Sequence, residues 1–217
     1  MIGHVLGITP AQISTLRAMP AKVNKVTRVV QEVRHQAQLA TILERMSPEQ
    51  RKQYEASMVP LQTSPLMDEV RVINEEARKE TTNIGPFEQV LSLEKSWHVL
   101  HYLFTGHSGP ASAPGDFLLT GESLGEDAGY GPARLHGPAA AQVFSAFLQG
   151  LNEARLYGRI NLAEMGRLHV YGTPPVAGAL ADPEVGLREE IGFHFPRLRD
   201  YVRTMADKGN GLLTWLS

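Results

Sequence analysis

The stretch LLTWLS at 212–217 has no polar alternation: Leu212 and Leu216 would lie on one side of an extended chain, Leu213 and Trp215 on the other. A strand apolar on both sides belongs in the middle of a sheet rather than at an exposed edge. The other elements must be arranged about it. MIGHVLGI, at 1–8, does alternate, with Ile2, His4, Leu6 and Ile8 on one face and Gly3, Val5 and Gly7 on the other. This spacing predicts a second strand whose glycine-thinned face lets something approach the backbone closely.

Between them the chain is mostly helical in pattern. Thr9-Pro10 reads as N-cap and first helical position of a short helix through Ala18. Over 21–46, Val23, Val26, Val30, Val33, Ala37 and Ala40 recur in steps of three and four, a helical stripe. It packs on its own domain or, through 21–46, forms a homo-oligomer contact. Ser47-Pro48-Glu49-Gln50 is a capping box that starts a helix expected to end before Pro60. Ser64-Pro65 starts another, and residues 20–90 read as a helical hairpin region.

Further on, DFLLT at 116–120 predicts a short strand, with a second at Ala133–Leu135, and Pro138 starts a helix carrying Phe144 and Leu148. The last helix starts at Asp182-Pro183, should kink or divide at Pro196, and closes with Gly209 as a left-handed residue.

A length of 217 residues suffices for a real core, and the 42% hydrophobic content excludes a mostly disordered chain. A net charge of −2 gives no basic field for nucleic acid or an anionic membrane, so neither is expected as a partner. Residues 1–65 carry eight Lys/Arg against four Asp/Glu, which reads as a solvated face. The absence of cysteine rules out disulfides, thiolate catalysis and Cys-based zinc sites. The first residues lack a secretory pattern and no run reaches the roughly 18 apolar residues of a membrane span. A cytoplasmic, soluble protein without a cofactor is expected.

Two stretches could carry chemistry. In LSLEKSWHVLHYLFTGHSG, Ser92 is a candidate N-cap, and Trp97, Leu100 and Phe104 share one side of a helix that is apolar around most of its circumference. Glu94, His98 and His101 form a narrow polar stripe. Seven helical residues rise about 10 Å, so Glu94 and His101 would struggle to share a metal. The structural reading is a Glu94–His98 pair with His101 hydrogen-bonded in the core.

The second stretch, GESLGEDAGYGPAR, places Gly121, Gly125, Gly129 and Gly131 around Glu122, Glu126 and Asp127, with Tyr130 and Arg134 following. It is neither a phosphate loop nor a dinucleotide fingerprint. Paired carboxylates beside an arginine could do acid–base work. They could equally satisfy backbone N–H groups in a tight turn and pair with Arg134.

These two stretches resemble the YfbM-like family, bacterial proteins classed as a domain of unknown function. The resemblance starts at MIG, is strongest in LSLEKSWHVLHYLFTGHS and GESLGEDAGYGPAR, and continues more loosely to RDYVRTMADKGNGLLTWLS. Glu94, Lys95, Trp97, Leu100, His101, Thr105 and Gly106 match the family pattern, and His98 falls where that pattern is open. The resemblance implies an α+β fold, with helices packed around a small, mostly antiparallel sheet in a single domain over 1–217. The chain departs from the family at about 20–90, where its helical hairpin region reads as expanded, and the resemblance carries no activity over.

Two functional expectations follow. The first is a non-enzymatic protein-interaction domain that binds through the expanded helices or the acidic loop. The alternative is a small-molecule-binding protein or enzyme with a pocket between the 94–106 helix and the 121–134 loop. In that pocket His101, Glu126 and Asp127 are the candidate catalytic residues, and Trp97, Tyr130 and Arg134 the candidate ligand contacts. No metal site is expected. The pocket requires these groups to converge in one cleft.

Overall fold

The computed structural model describes residues 1–62, 64–127, 130–173 and 182–217, without the side chains of 60–62. The expected loop position of Gly129 lies outside the described residues.

The strands are β1 (Gly3–Ile8), β2 (Leu91–Glu94), β3 (Glu122–Leu124), β4 (Ala133–His136) and β5 (Gly211–Leu216). They form one open sheet in the order β2-β1-β5-β4-β3, and each neighbouring pair is antiparallel. The apolar closing stretch is therefore the middle strand, as its composition requires. It pairs with β1 from Gly3↔Leu216 to Ile8↔Gly211, and with β4 through Leu135↔Leu213.

Helices cover both faces. On one, Val5, Leu212 and Leu216 pack with residues of α5 (Ser96–Thr105), α6 (Pro138–Gln149) and α9 (Pro183–Asp207). The short α7 (Glu153–Tyr157) and α8 (Leu162–Arg167) add Leu156 and Met165 to this cluster. On the other face, Leu6, Ile8, Leu213 and Trp215 pack with Ile13 and Leu16 of α1 (Pro10–Ala18) and Val23, Val26 and Val30 of α2 (Val23–Arg45). The fold is thus α+β.

The glycines of β1 allow the close approach their spacing predicted. A Cβ on Gly3 would lie 2.5 Å from Trp97 Cβ, and one on Gly7 would lie 2.0 Å from Met205 Sδ. α5 and α9 sit directly on the backbone there.

Local signals define most helix ends. Thr9 and Gln12 close a reciprocal capping box on α1, and Ser47 and Gln50 do so on α3 (Pro48–Gln62). Ser64 caps α4 (Pro65–Thr81), and Gly209 follows α9 with φ of +70°. Each cap satisfies backbone groups that the helix leaves without internal partners.

Four local expectations change. DFLLT is an irregular segment, and the strand falls instead at β3, which β4 pairs through Ser123↔Arg134. Ser92 belongs to β2 rather than to a helix N-terminus, and Glu94 ends that strand. The polar stripe of Glu94, His98 and His101 therefore does not lie on one helix. α3 runs past Pro60 to Gln62, and α9 runs through Pro196 without a break.

The stripe in α2 divides in two. Val23, Val26 and Val30 are buried, whereas Val33, Ala37 and Ala40 are exposed. From Gln31 to Glu76 no described residue is buried, so the distal part of α2, α3 and most of α4 project as an arm. Its base is held by ion pairs of Lys25 with Glu80 and of Arg78 with Glu32.

Candidate functional site

α5 is buried along almost its whole length because its apolar residues surround it. Trp97 is 3% exposed and lies under Gly3, leaving it no room to contact a ligand. His101 is 1% exposed. Its Nε2 lies 2.9 Å from the Gly109 carbonyl and its Nδ1 lies 3.6 Å from Asp116 Oδ1. Asp116 also accepts N–H bonds from Ala111 (2.7 Å) and Leu119 (3.1 Å). The carboxylate that His101 meets is thus Asp116, in the segment read as a strand.

His98 is held from both sides. The Tyr171 N–H donates to Nδ1 at 2.9 Å, so Nε2 carries the proton and donates to the Ser108 carbonyl at 2.6 Å. Burial lowers its pKa, an effect the Ser108 bond opposes. This neutral tautomer ties α5 to the segments around Ser108 and Tyr171.

The glycine-carboxylate stretch packs elsewhere. Leu124 joins the α1–α2 side of the sheet, Gly125 abuts Val23 and Asn24, and the Glu126 carbonyl accepts from Asn24 Nδ2 at 3.2 Å. The Glu126 side chain and Tyr130 are exposed. Asp127 accepts the Gly131 N–H at 2.8 Å, the turn-closing role weighed for it. Arg134 donates to Ser123 across the β3–β4 pair. α5 and this loop thus lie against opposite faces of the sheet, and His101, Glu126 and Asp127 share no cleft.

A different cluster does converge, and no short motif announces it. At the end of β2, Glu94 adopts φ of +48°, unusual for a residue with a side chain. Its carboxylate meets the Arg34 guanidinium of α2 and accepts from the Ser92 hydroxyl at 3.0 Å. Burial opposes ionisation of Glu94, but Ser92 and Arg34 outweigh it and hold the carboxyl below its usual range. Behind this clamp, His4 stacks on Trp215 with ring centroids 5.0 Å apart, and its Nε2 lies 2.9 Å from Ser217 Oγ. Burial above all, then the Arg34 charge, pushes His4 down to about 4.

The clamp forms one wall of a cleft of about 300 Å³, with Ala37, Gln38 and Thr41 of α2 beside it. Phe193, His194 and Arg197 of α9 form the opposite wall. His194 Nε2 lies 3.5 Å from Glu190, whose carboxylate accepts from Ser96 at 2.6 Å. Burial lowers the His194 pKa; Glu190 opposes this and Arg197 adds to it. Of the cleft's charged and histidine residues, only Glu94 stands out in the sequence, as part of the polar stripe. Arg34, His194 and Arg197 carry no spacing signal, because they come from helices far apart in the chain.

Among the described residues, no group of three or more His, Cys, Asp or Glu side chains could hold a metal ion. No described helix is long and apolar enough to cross a membrane.

Fold and clefts together define an α+β domain with helices on both faces of a five-stranded antiparallel sheet and a cation-lined cleft at one sheet edge. The chain belongs to the family described as "Domain of unknown function (DUF1877)", which matches residues 1–215. Its structure is similar to that of YfbM from Escherichia coli, a protein of unknown function, with 16% sequence identity and a TM-score of 0.53. That similarity spans 99% of this chain and 98% of the other, and at this identity it concerns the fold alone. No curated protein matches the sequence.

Proposed function

We propose that this chain is a protein-interaction domain whose docking element is the arm between Gln31 and Glu76. One observation supports this reading. No described residue of the arm is buried, yet Val33, Ile42, Leu66, Met67, Val72 and Ile73 are each at least 40% exposed. Single exposed apolar residues are ordinary, but this concentration on helices with no core of their own is typical of interaction surfaces. Helices of this length draw most of their stability from packing an apolar face, and a partner would supply that packing here.

Photo-crosslinking from Leu66 and Ile73 in cells that express the chain tests the reading. A discrete crosslinked species, either a second copy or another protein, is expected. It should disappear when Val33→Glu and Val72→Glu are introduced, while the melting of the domain stays unchanged. Arm positions that give no more crosslinking than a control at Ala139, on exposed α6 surface, would sink the proposal.

A further inference from the structure

The cleft between α2 and α9 carries a positive charge that no carboxylate among the described residues pairs with. Arg34 is compensated by Glu94, and Ser92 fixes that carboxylate in place. Arg197 is not compensated. Its guanidinium stacks over the Phe193 ring at 4.6 Å, and it has no carboxylate partner among the described residues. The cleft therefore holds two guanidinium groups against one carboxylate, with exposed Gln38 and Thr41 as hydrogen-bonding groups on the facing wall.

We propose that this cleft binds a small organic oxyanion, a carboxylate or a phosphate ester, with Arg197 as its principal contact. A planar guanidinium matches either group with two parallel N–H bonds. The Phe193 ring beneath Arg197 leaves the guanidinium edge available for those bonds. The Glu94 carboxylate, bound by Arg34 and Ser92, does not compete for Arg197. The volume, about 300 Å³, lies at the lower end of small-molecule sites and suits a metabolite-sized ligand rather than a polymer segment. One wall of this site, Arg34 to Thr41, lies at the base of the arm, but the site rests on Arg197 and does not depend on the interaction reading.

The test follows the Arg197 Nε–H and His194 ring resonances of the full chain by NMR during titration with inorganic phosphate and, separately, with citrate. Chloride at matched ionic strength serves as the reference. A saturable shift with phosphate, citrate or both supports the site, and the stronger of the two names the ligand chemistry. Affinity should fall by about tenfold or more in Arg197→Ala, the loss of one good charge-assisted contact. It should also be lost in Ala37→Glu, which adds a carboxylate at an exposed lining position without disturbing the core. Shifts that chloride reproduces, no saturable shift with either probe, or undiminished affinity in Arg197→Ala would each overturn the proposal.

Discussion

Asp116, whose side chain is fully buried, lies 3.6 Å from Nδ1 of His101, and together they fasten α5 to the segment that follows it. Asp116 also accepts two backbone N–H bonds, so its carboxylate organises residues 111–119. Replacing it leaves those two backbone donors without their acceptor in a buried site and removes the carboxylate beside the imidazole. Asp116→Ala is expected to destabilise the protein by about 3 kcal/mol, measured by urea unfolding. A change near zero would show that the segment reorganises freely and that the pair is incidental.

The two glycines facing α5 and α9 should not respond equally. At Gly3 a new methyl group meets Trp97 Cβ, which is fixed to the α5 backbone. At Gly7 it meets the thioether of Met205, which can change rotamer. Gly3→Ala is expected to cost about 3 kcal/mol and Gly7→Ala about 1 kcal/mol, within the usual range for overpacking. Equal midpoints in denaturant would contradict this ordering.

The two halves of the α2 stripe offer an internal control. Val26 is fully buried, so Val26→Ala should cost about 2 kcal/mol. Val33 is 55% exposed, and Val33→Ala should fall within about 0.5 kcal/mol of the parent. A large loss at Val33 in the purified chain would mean that the face is already covered, by self-association for example. Light scattering on the same sample would then reveal the oligomer.

Acid should weaken the fold through its histidines. His4, His98, His136 and His194 all have folded-state pKa values lowered from 6.5, each chiefly by burial. As pH falls below 6.5, the unfolded chain takes up protons before the folded one does. The stability these groups contribute is complete above 6.5 and is lost progressively as pH drops through their lowered values, about 4 for His4. Urea midpoints should therefore decline between neutral pH and about pH 5. A midpoint that rises over this interval would mean that the imidazolium forms find partners in the folded state.

Much of the fold was legible where its cause is local. Thr9-Pro10, the Ser47–Gln50 box and Gly209 each act within a few residues, and LLTWLS declares its central position by composition alone. β2 and β3 were missed because they are four and three residues long, and Ser92 looks equally like a cap. Within the candidate site, the burial of Trp97 and the core role of His101 could be read from the apolar circumference of α5. The partner of His101 could not, because Asp116 lies in an irregular segment whose path is set by the carboxylate itself. The cleft was illegible for a related reason. Arg34, Glu94 and Arg197 meet only once the sheet has brought α2, β2 and α9 together.

The position of β5 has a consequence for how the molecule is made. In order of synthesis, β1, β2, β3 and β4 emerge first, yet the strand that joins β1 to β4 is residues 211–216. Until those residues appear, the nascent chain holds two strand pairs with a gap between them, and their apolar edges wait unpaired. Closure then spans nearly the whole sequence, from Gly3 to Leu216. Such long-range pairing is slow, and the waiting edges are open to wrong partners. A ribosome that stalls shortly before residue 211 would therefore release a polypeptide with both halves of its sheet and nothing to unite them.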